Sequence, residues 1–219
     1  DLHYPATRVI ALENTHNYCM GSPIKPEYMQ QTGNLAKRYN LKIHVDGARI
    51  FNASVAMRVD VKDLVREVDS VMFCLSKGLS APVGSLVCGN KKFIDEARKW
   101  RKMVGGGMRQ SGHLAAAGII ALDELVNELK KDHSNAQALA QGLSMLRGIV
   151  LKPALIKTNI IFFSLKHPAL SPEEYLKKLE LQGIKMLMIQ PGVFRAVLHR
   201  EISEFQVEQV IHISEELTK

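Results

Sequence analysis

An apolar run that stops at a lysine constrains this chain more than any other stretch. Val71-Met-Phe-Cys-Leu-Ser-Lys77 reads as a buried strand, and Gly78-Leu-Ser-Ala-Pro82-Val-Gly-Ser85 opens it into a loop. An unpaired ammonium is costly to withdraw from water, so a lysine beside a core strand calls for a partner or for deprotonation. Upstream, the apolar segment 41–45 ends at Asp46, within His44-Val-Asp46-Gly-Ala-Arg49. A lysine with a lowered pKa can attack an aldehyde, and an aspartate at a strand end can keep a pyridine nitrogen protonated. Together these are the protein contacts that pyridoxal phosphate (PLP) asks for. The same residues admit a plainer account: Lys77 as a loop cation facing solvent, and Asp46 as the N-cap of a helix entered through Ala48.

The pattern along the chain predicts alternating strands and helices. Residues 8–12 read as a short strand, and Pro26 opens a helix to about residue 39. Asp60 caps a short helix through 66, residues 70–75 and 84–88 are further strands, and Asn90 caps the next helix. Alternation of this kind predicts an α/β fold with a right-handed, mostly parallel sheet and its chemistry at the strands' carboxyl ends. From about residue 115 the character changes to a long helical segment through 146, with Asp132-His-Ser-Asn as its break. Residues 158–165, 184–189 and 193–198 are then strand candidates around two helices that open on Ser171-x-x-Glu174 and Ser203-x-x-Gln206. The expected organisation is a large-domain portion over residues 1–125 and a small α/β domain over 126–219.

Composition fits part of a globular enzyme: 219 residues, 46% of them hydrophobic, are enough to fill a core. No apolar stretch approaches a membrane span. Cys19, Cys74 and Cys88 have no metal-ligand spacing, and two of them fall in strand-like runs, which predicts reduced core thiols in a reducing compartment. The formal net charge of +7 is concentrated around Lys91, Lys92, Arg98, Lys99, Arg101, Lys102 and Arg109. Few aromatics accompany that run and no recognition motif does, so a solvated helix face is expected and not a nucleic-acid surface.

Four blocks carry a resemblance: Leu12-Glu-Asn-Thr-His-Asn17, His44-Val-Asp-Gly-Ala-Arg-Ile-Phe-Asn-Ala53, Cys74-Leu-Ser-Lys-Gly-Leu79, and Trp100-Arg-Lys-Met-Val-Gly-Gly-Gly-Met-Arg-Gln-Ser-Gly112. In content and order they resemble the signature blocks of low-specificity L-threonine aldolases, and Phe194-Arg-Ala-Val-Leu-His199 is similar to that family's late Arg-x-Val-x-His segment. The resemblance covers essentially the whole chain. It implies a three-layer PLP-transferase large domain of fold type I, present in part, followed by a small C-terminal domain. It also implies a further N-terminal portion, carrying a phosphate loop and a ring-stacking histidine, so the chain reads as N-terminally truncated. One departure stands out: Tyr18-Cys-Met-Gly21 keeps a single glycine where the family often has two.

Roles follow from that resemblance. Lys77 would hold PLP, Asp46 would pair with the pyridine nitrogen, and Arg49 would contact the ring 3-oxygen. Lys102 and Arg109, flanking Gly105-Gly-Gly107, would serve the phosphate, in some members across a subunit boundary. Arg195 would take the substrate α-carboxylate, since its planar fork suits bidentate pairing. His3 is the first candidate for the base that removes the β-hydroxyl proton and His16 the second. Glu13 completes the substrate side by orienting a histidine or water, while His44 and His199 are expected to be structural. The implied reaction is retro-aldol cleavage of L-threonine or L-allo-threonine to glycine and acetaldehyde, in a cytoplasmic homo-oligomer, dimer or tetramer. Alternatives are a related PLP β-eliminating lyase, a serine hydroxymethyltransferase-like enzyme without its folate, and a catalytically incompetent chain that acts at most as an oligomerisation partner.

Overall fold

Strands and helices alternate through the first half of the chain, and a second, antiparallel sheet follows. The structure is a computed structural model and describes residues 3–219. It divides into two units, one of Pro23–Asn127 with the residues up to Thr15, the other of Glu128–Lys219 with His16–Ser22.

In the first unit a four-stranded sheet has the order β1 (Val9–Glu13), β2 (Lys42–Asp46), β3 (Ser70–Cys74), β4 (Ser85–Gly89). The first three strands are parallel, in the register Glu13 beside Asp46 beside Met72. Helix α1 (Pro26–Arg38) carries the chain from β1 to β2, with Pro26 at its first position where no amide donor is needed. Helices α2 (Ile50–Met57) and α3 (Val61–Leu64) return it to β3, and the Asp60 side chain accepts the Lys62 N–H to start α3. These helices cover one sheet face. Ile10, Leu12, Ile43, Val45, Val71 and Phe73 meet Met29, Ala36, Ile50, Ala53 and Leu64 there. Because side chains alternate along a strand, Glu13, His44, Asp46 and Met72 fall on the opposite face. Strand β4 runs antiparallel to β3. The segment between them, 75–84, carries no helix, and a parallel return would need a crossover of about a dozen residues or more.

Helix α4 (Lys91–Met103) follows β4, with Asn90 Oδ1 accepting the Phe93 N–H at 3.0 Å, and then α5 (Gly112–Glu124). Lys91 pairs with Asp95 and Lys99 with Glu96 along the exposed surface of α4, the solvated helix face that its charge run predicts. Every residue of β4 is exposed, so Cys88 is an exposed thiol and not the core thiol expected from its strand; Cys19 is exposed and Cys74 half-buried.

The second unit is built from α6 (Leu129–Ser144), β5 (Ile149–Val150), β6 (Ile160–Leu165), α7 (Pro172–Leu181), β7 (Leu187–Gln190), β8 (Val193–Val197) and α8 (Glu204–Thr218). Its sheet order is β5-β6-β8-β7, antiparallel throughout. Ser171 caps α7 by accepting the Glu174 N–H, and at α8 the capping box between Ser203 and Gln206 is complete. The segment 16–22 is tied in by the Thr158 hydroxyl, which donates to the Gly21 carbonyl at 2.9 Å. Met20 adopts left-handed φ 56°, ψ 31°, a conformation that favours glycine, which is the physical reason a glycine suits that position.

The helical break lies at residues 125–128 and not at Asp132-His-Ser-Asn, which runs inside α6. Polarity misleads there, because Asp132 and Asn135 are buried, and the Asn135 amide donates to the Ile202 carbonyl at 2.8 Å. Burial, with the Glu128 carboxylate nearby, raises the Asp132 pKa from 3.8 to about 6, and burial pushes His133 down to about 4. For an acid whose folded pKa is raised, its contribution to stability is full below the unfolded pKa and is lost as pH rises through the folded one. Two pKa units correspond to about 3 kcal/mol, so Asp132→Asn, which never ionises, is expected to stabilise the second unit by about 1–2 kcal/mol at pH 8. Denaturant melts at pH 4 and pH 8 check this. The gain should shrink toward pH 4, and a pH-independent difference would assign it to packing instead.

Candidate functional site

Two of the residues that the sequence proposes for the cofactor, Asp46 and Lys77, lie at or just beyond the carboxyl ends of adjacent parallel strands. Asp46 is the last residue of β2 and half-buried. Its Oδ1 accepts the Ala48 N–H at 2.9 Å, so the aspartate closes the turn into α2, whose N-cap position belongs to Arg49. The other carboxylate oxygen has no protein partner among the described residues. Gly47 locks this turn to the neighbouring strand: its N–H donates to Met72 O at 2.8 Å, and a Cβ there would lie 2.7 Å from that oxygen. Asp46 is thereby held in fixed register with the strand that leads to Lys77.

Lys77 lies three residues past the end of β3, in the loop that closes with the Leu75 N–H on Gly84 O and the Ser80 N–H on Lys77 O, each at 2.9 Å. It is exposed and in no ion pair among the described residues. The expected burial is therefore corrected. The apolar run ends at Leu75, which is buried, and the chain turns outward before the lysine. What the fold supplies is an accessible primary amine beside a strand end, not a desolvated one.

Arg49 is half-buried between the turn and α2. Lys102 and Arg109 are exposed around Gly105-Gly106-Gly107, and the Lys102 side chain lies against Gly107, where a Cβ would come within 2.7 Å of its Cδ. Glu13 ends β1 directly beside Asp46, and the Asn14 N–H donates to Asp46 O at 2.9 Å. His3 is exposed in the same unit. His44 Nδ1 lies 2.8 Å from Ser70 Oγ, the structural role expected for it, and His199 is exposed. In the second unit, Arg195 sits half-buried at the centre of β8, on the sheet face opposite Phe194 and Ala196. His16 opens the 16–22 segment, with its ring 6.0 Å from that of Tyr18.

Two features escape sequence reasoning. Asn14 spends both ends of its amide on Ile24, accepting its N–H at 3.0 Å and donating to its carbonyl at 3.3 Å, which fixes the turn after β1. Thr15 is fully buried with a hydroxyl that meets no partner among the described residues. Neither pattern has a sequence signal, since both depend on tertiary packing, for Asn14 on where residue 24 returns. Among the described residues no group of three or more His, Cys, Asp or Glu is placed to hold a metal ion. No helix there is long and apolar enough to cross a membrane.

The residues present fit PLP. A carboxylate with one oxygen fixed and one open suits a protonated ring nitrogen, and an accessible lysine amine suits an aldehyde carbon.

The chain is similar to several known proteins. An Arabidopsis thaliana protein assigned as low-specificity L-threonine aldolase 2 is 47% identical over 218 residues, covering 99% of this chain and 61% of the relative. The Escherichia coli K12 low specificity L-threonine aldolase is 41% identical over 211 residues, covering 96% and 60%. This chain thus spans about three fifths of the length of the curated relatives it matches. The Leishmania major threonine aldolase structure superposes with TM-score 0.78 at 19% identity, over 97% of this chain and 61% of that one, which shows a common fold. A family model described as beta-eliminating lyase matches residues 1–166, and the chain belongs to that family.

Proposed function

We propose that this chain forms the greater part of a PLP-dependent aldehyde-lyase that cleaves L-threonine or L-allo-threonine to glycine and acetaldehyde. The observation that carries the proposal is Asp46 and Lys77 at the carboxyl ends of adjacent parallel strands, in a chain whose relatives are named low-specificity L-threonine aldolases.

PLP, when bound, supplies an electron sink for the pair released as the Cα–Cβ bond breaks. The protein's part is binding, orientation and proton transfer. Lys77 Nζ would hold the cofactor's aldehyde carbon, the open oxygen of Asp46 would keep a proton on the ring nitrogen, and Arg49 would be the partner of the 3-oxygen. Lys102 and Arg109 would give cationic partners to the phosphate, with the three glycines letting the backbone approach closely. Arg195 would pair with the substrate carboxylate. His3, or in its place His16, takes the β-hydroxyl proton as bond cleavage turns that oxygen into a carbonyl. A homo-oligomer is part of this reading, supported by the exposed Trp100, Met103, Val104 and Met108 on one segment of the surface. The three free thiols support a reducing, cytoplasmic setting.

The test is to load the purified chain with PLP, reduce it with borohydride, map the labelled peptide, and analyse the products formed from L-threonine. Label at Lys77 together with glycine and acetaldehyde is expected. An α-keto acid with ammonia would replace the aldolase by the second reading, a β-eliminating lyase, which the family description favours. No label at Lys77 would leave the chain as an incompetent relative.

A further inference from the structure

Two carboxylates lie side by side at the centre of the proposed cofactor site. Glu13 and Asp46 are register partners on adjacent parallel strands, so their side chains leave the same sheet face from backbones only about 4.8 Å apart. Both are half-buried, and the Asn14 N–H bond to Asp46 O fixes one strand end against the other. Like charges placed directly side by side on a sheet repel, and a positive charge beside the pair relieves that repulsion.

We propose that Glu13 is a positioning residue that acts through Asp46, adding a second negative charge behind the pyridine nitrogen and holding the bound cofactor in its protonated form. This rests on the PLP reading given above and deepens it. It moves Glu13 from the substrate side to the cofactor side. The other ionisable groups on that face are distinct: His44 and Lys42 lie further down β2, with His44 Nδ1 at Ser70 Oγ and Lys42 paired to Asp69, and β3 brings only the Cys74 thiol. Lys77 and Arg49 belong to the loops that follow β3 and β2. Of these, Glu13 alone adds negative charge at the level of Asp46.

The sign follows from electrostatics. Negative charge beside a cation favours the protonated state, so removing Glu13 makes the cofactor lose its proton at lower pH. At the separation set by two neighbouring strands in a partly hydrated site, the change is about 0.5–1 pH unit. The experiment is a pH titration of the ring-nitrogen 15N chemical shift of the chain loaded with 15N-labelled PLP, wild type against Glu13→Gln and Glu13→Asp. The midpoint is expected to fall by that amount in Glu13→Gln and to return toward wild type in Glu13→Asp, which keeps the charge. A purely structural role for Glu13 would not separate those two variants by charge. Glu13→Met, apolar and of similar length, replaces the amide variant if the latter does not melt cooperatively. A wild-type titration with an unchanged midpoint in the neutral variant overturns the role of Glu13 alone. A wild-type chain with no PLP trapped at Lys77 overturns the PLP reading itself, and the Glu13 proposal with it.

Discussion

Lys77→Ala is expected to abolish borohydride-trapped PLP and to lower aldol cleavage by at least about 10³-fold, while the fold stays intact. Lys77 is exposed, makes no ion pair among the described residues and lies outside the core, so its truncation should change stability by less than about 0.5 kcal/mol. The neighbouring Leu75 and Leu79, which are buried, keep the loop in place without it. Lys77→Arg sharpens the test. A guanidinium keeps the positive charge but does not deprotonate in a protein, so it cannot attack an aldehyde. If charge were all that mattered, Lys77→Arg would bind PLP nearly as wild type. If attack matters, it should fail as the alanine variant does. Activity within tenfold of wild type in either variant would remove Lys77 from the chemistry.

How legible this site was differs residue by residue. Asp46 and Lys77 could be placed at strand ends because period, length and turn residues mark β2 and β3 locally, and the rule for parallel sheets then assigns the carboxyl ends. Their order along the chain was legible for the same reason. The exposure of Lys77 was not, because it depends on where the apolar run stops being paired, and Cys74 is the last residue that β4 holds in the ladder. The companionship of Glu13 and Asp46 was also hidden, since pairing between parallel strands is a tertiary fact that no local pattern encodes. In the second half, Asp132-His-Ser-Asn looked like a helix break because polar residues usually mark loops. Tertiary burial on α6 overrode that preference, with Asn135 finding a carbonyl on a distant loop. The capping box at Ser203, by contrast, is a local device and formed as its spacing predicts. Local devices are readable from sequence, and long-range partners are not.

The aromatic core of the second unit sets its largest stability effect, and the expected result for Phe194→Ala is a loss of about 3–5 kcal/mol. Phe194 is fully buried on β8, stacked on Phe163 at 5.1 Å and edge-on to Tyr175 at 5.4 Å, so truncation empties a space that three rings share. Collapse cannot readily refill it. Phe163 is held in β6 by its pairing with β8, and Tyr175 is tethered by its hydroxyl 2.8 Å from Ser214 Oγ on α8. The next residue along the strand is Arg195, which faces the other way. On the proposed role of Arg195 as partner of the substrate carboxylate, a loosened β8 should also raise KM for L-threonine more than it lowers kcat. Phe194→Leu, which refills most of the volume, is expected to recover stability and KM together. Denaturant unfolding followed by kinetics on all three proteins checks both effects. A loss below about 1 kcal/mol for the alanine variant would mean the rings do not organise this unit. A normal KM beside a large stability loss would instead cut the link between the core face of β8 and Arg195.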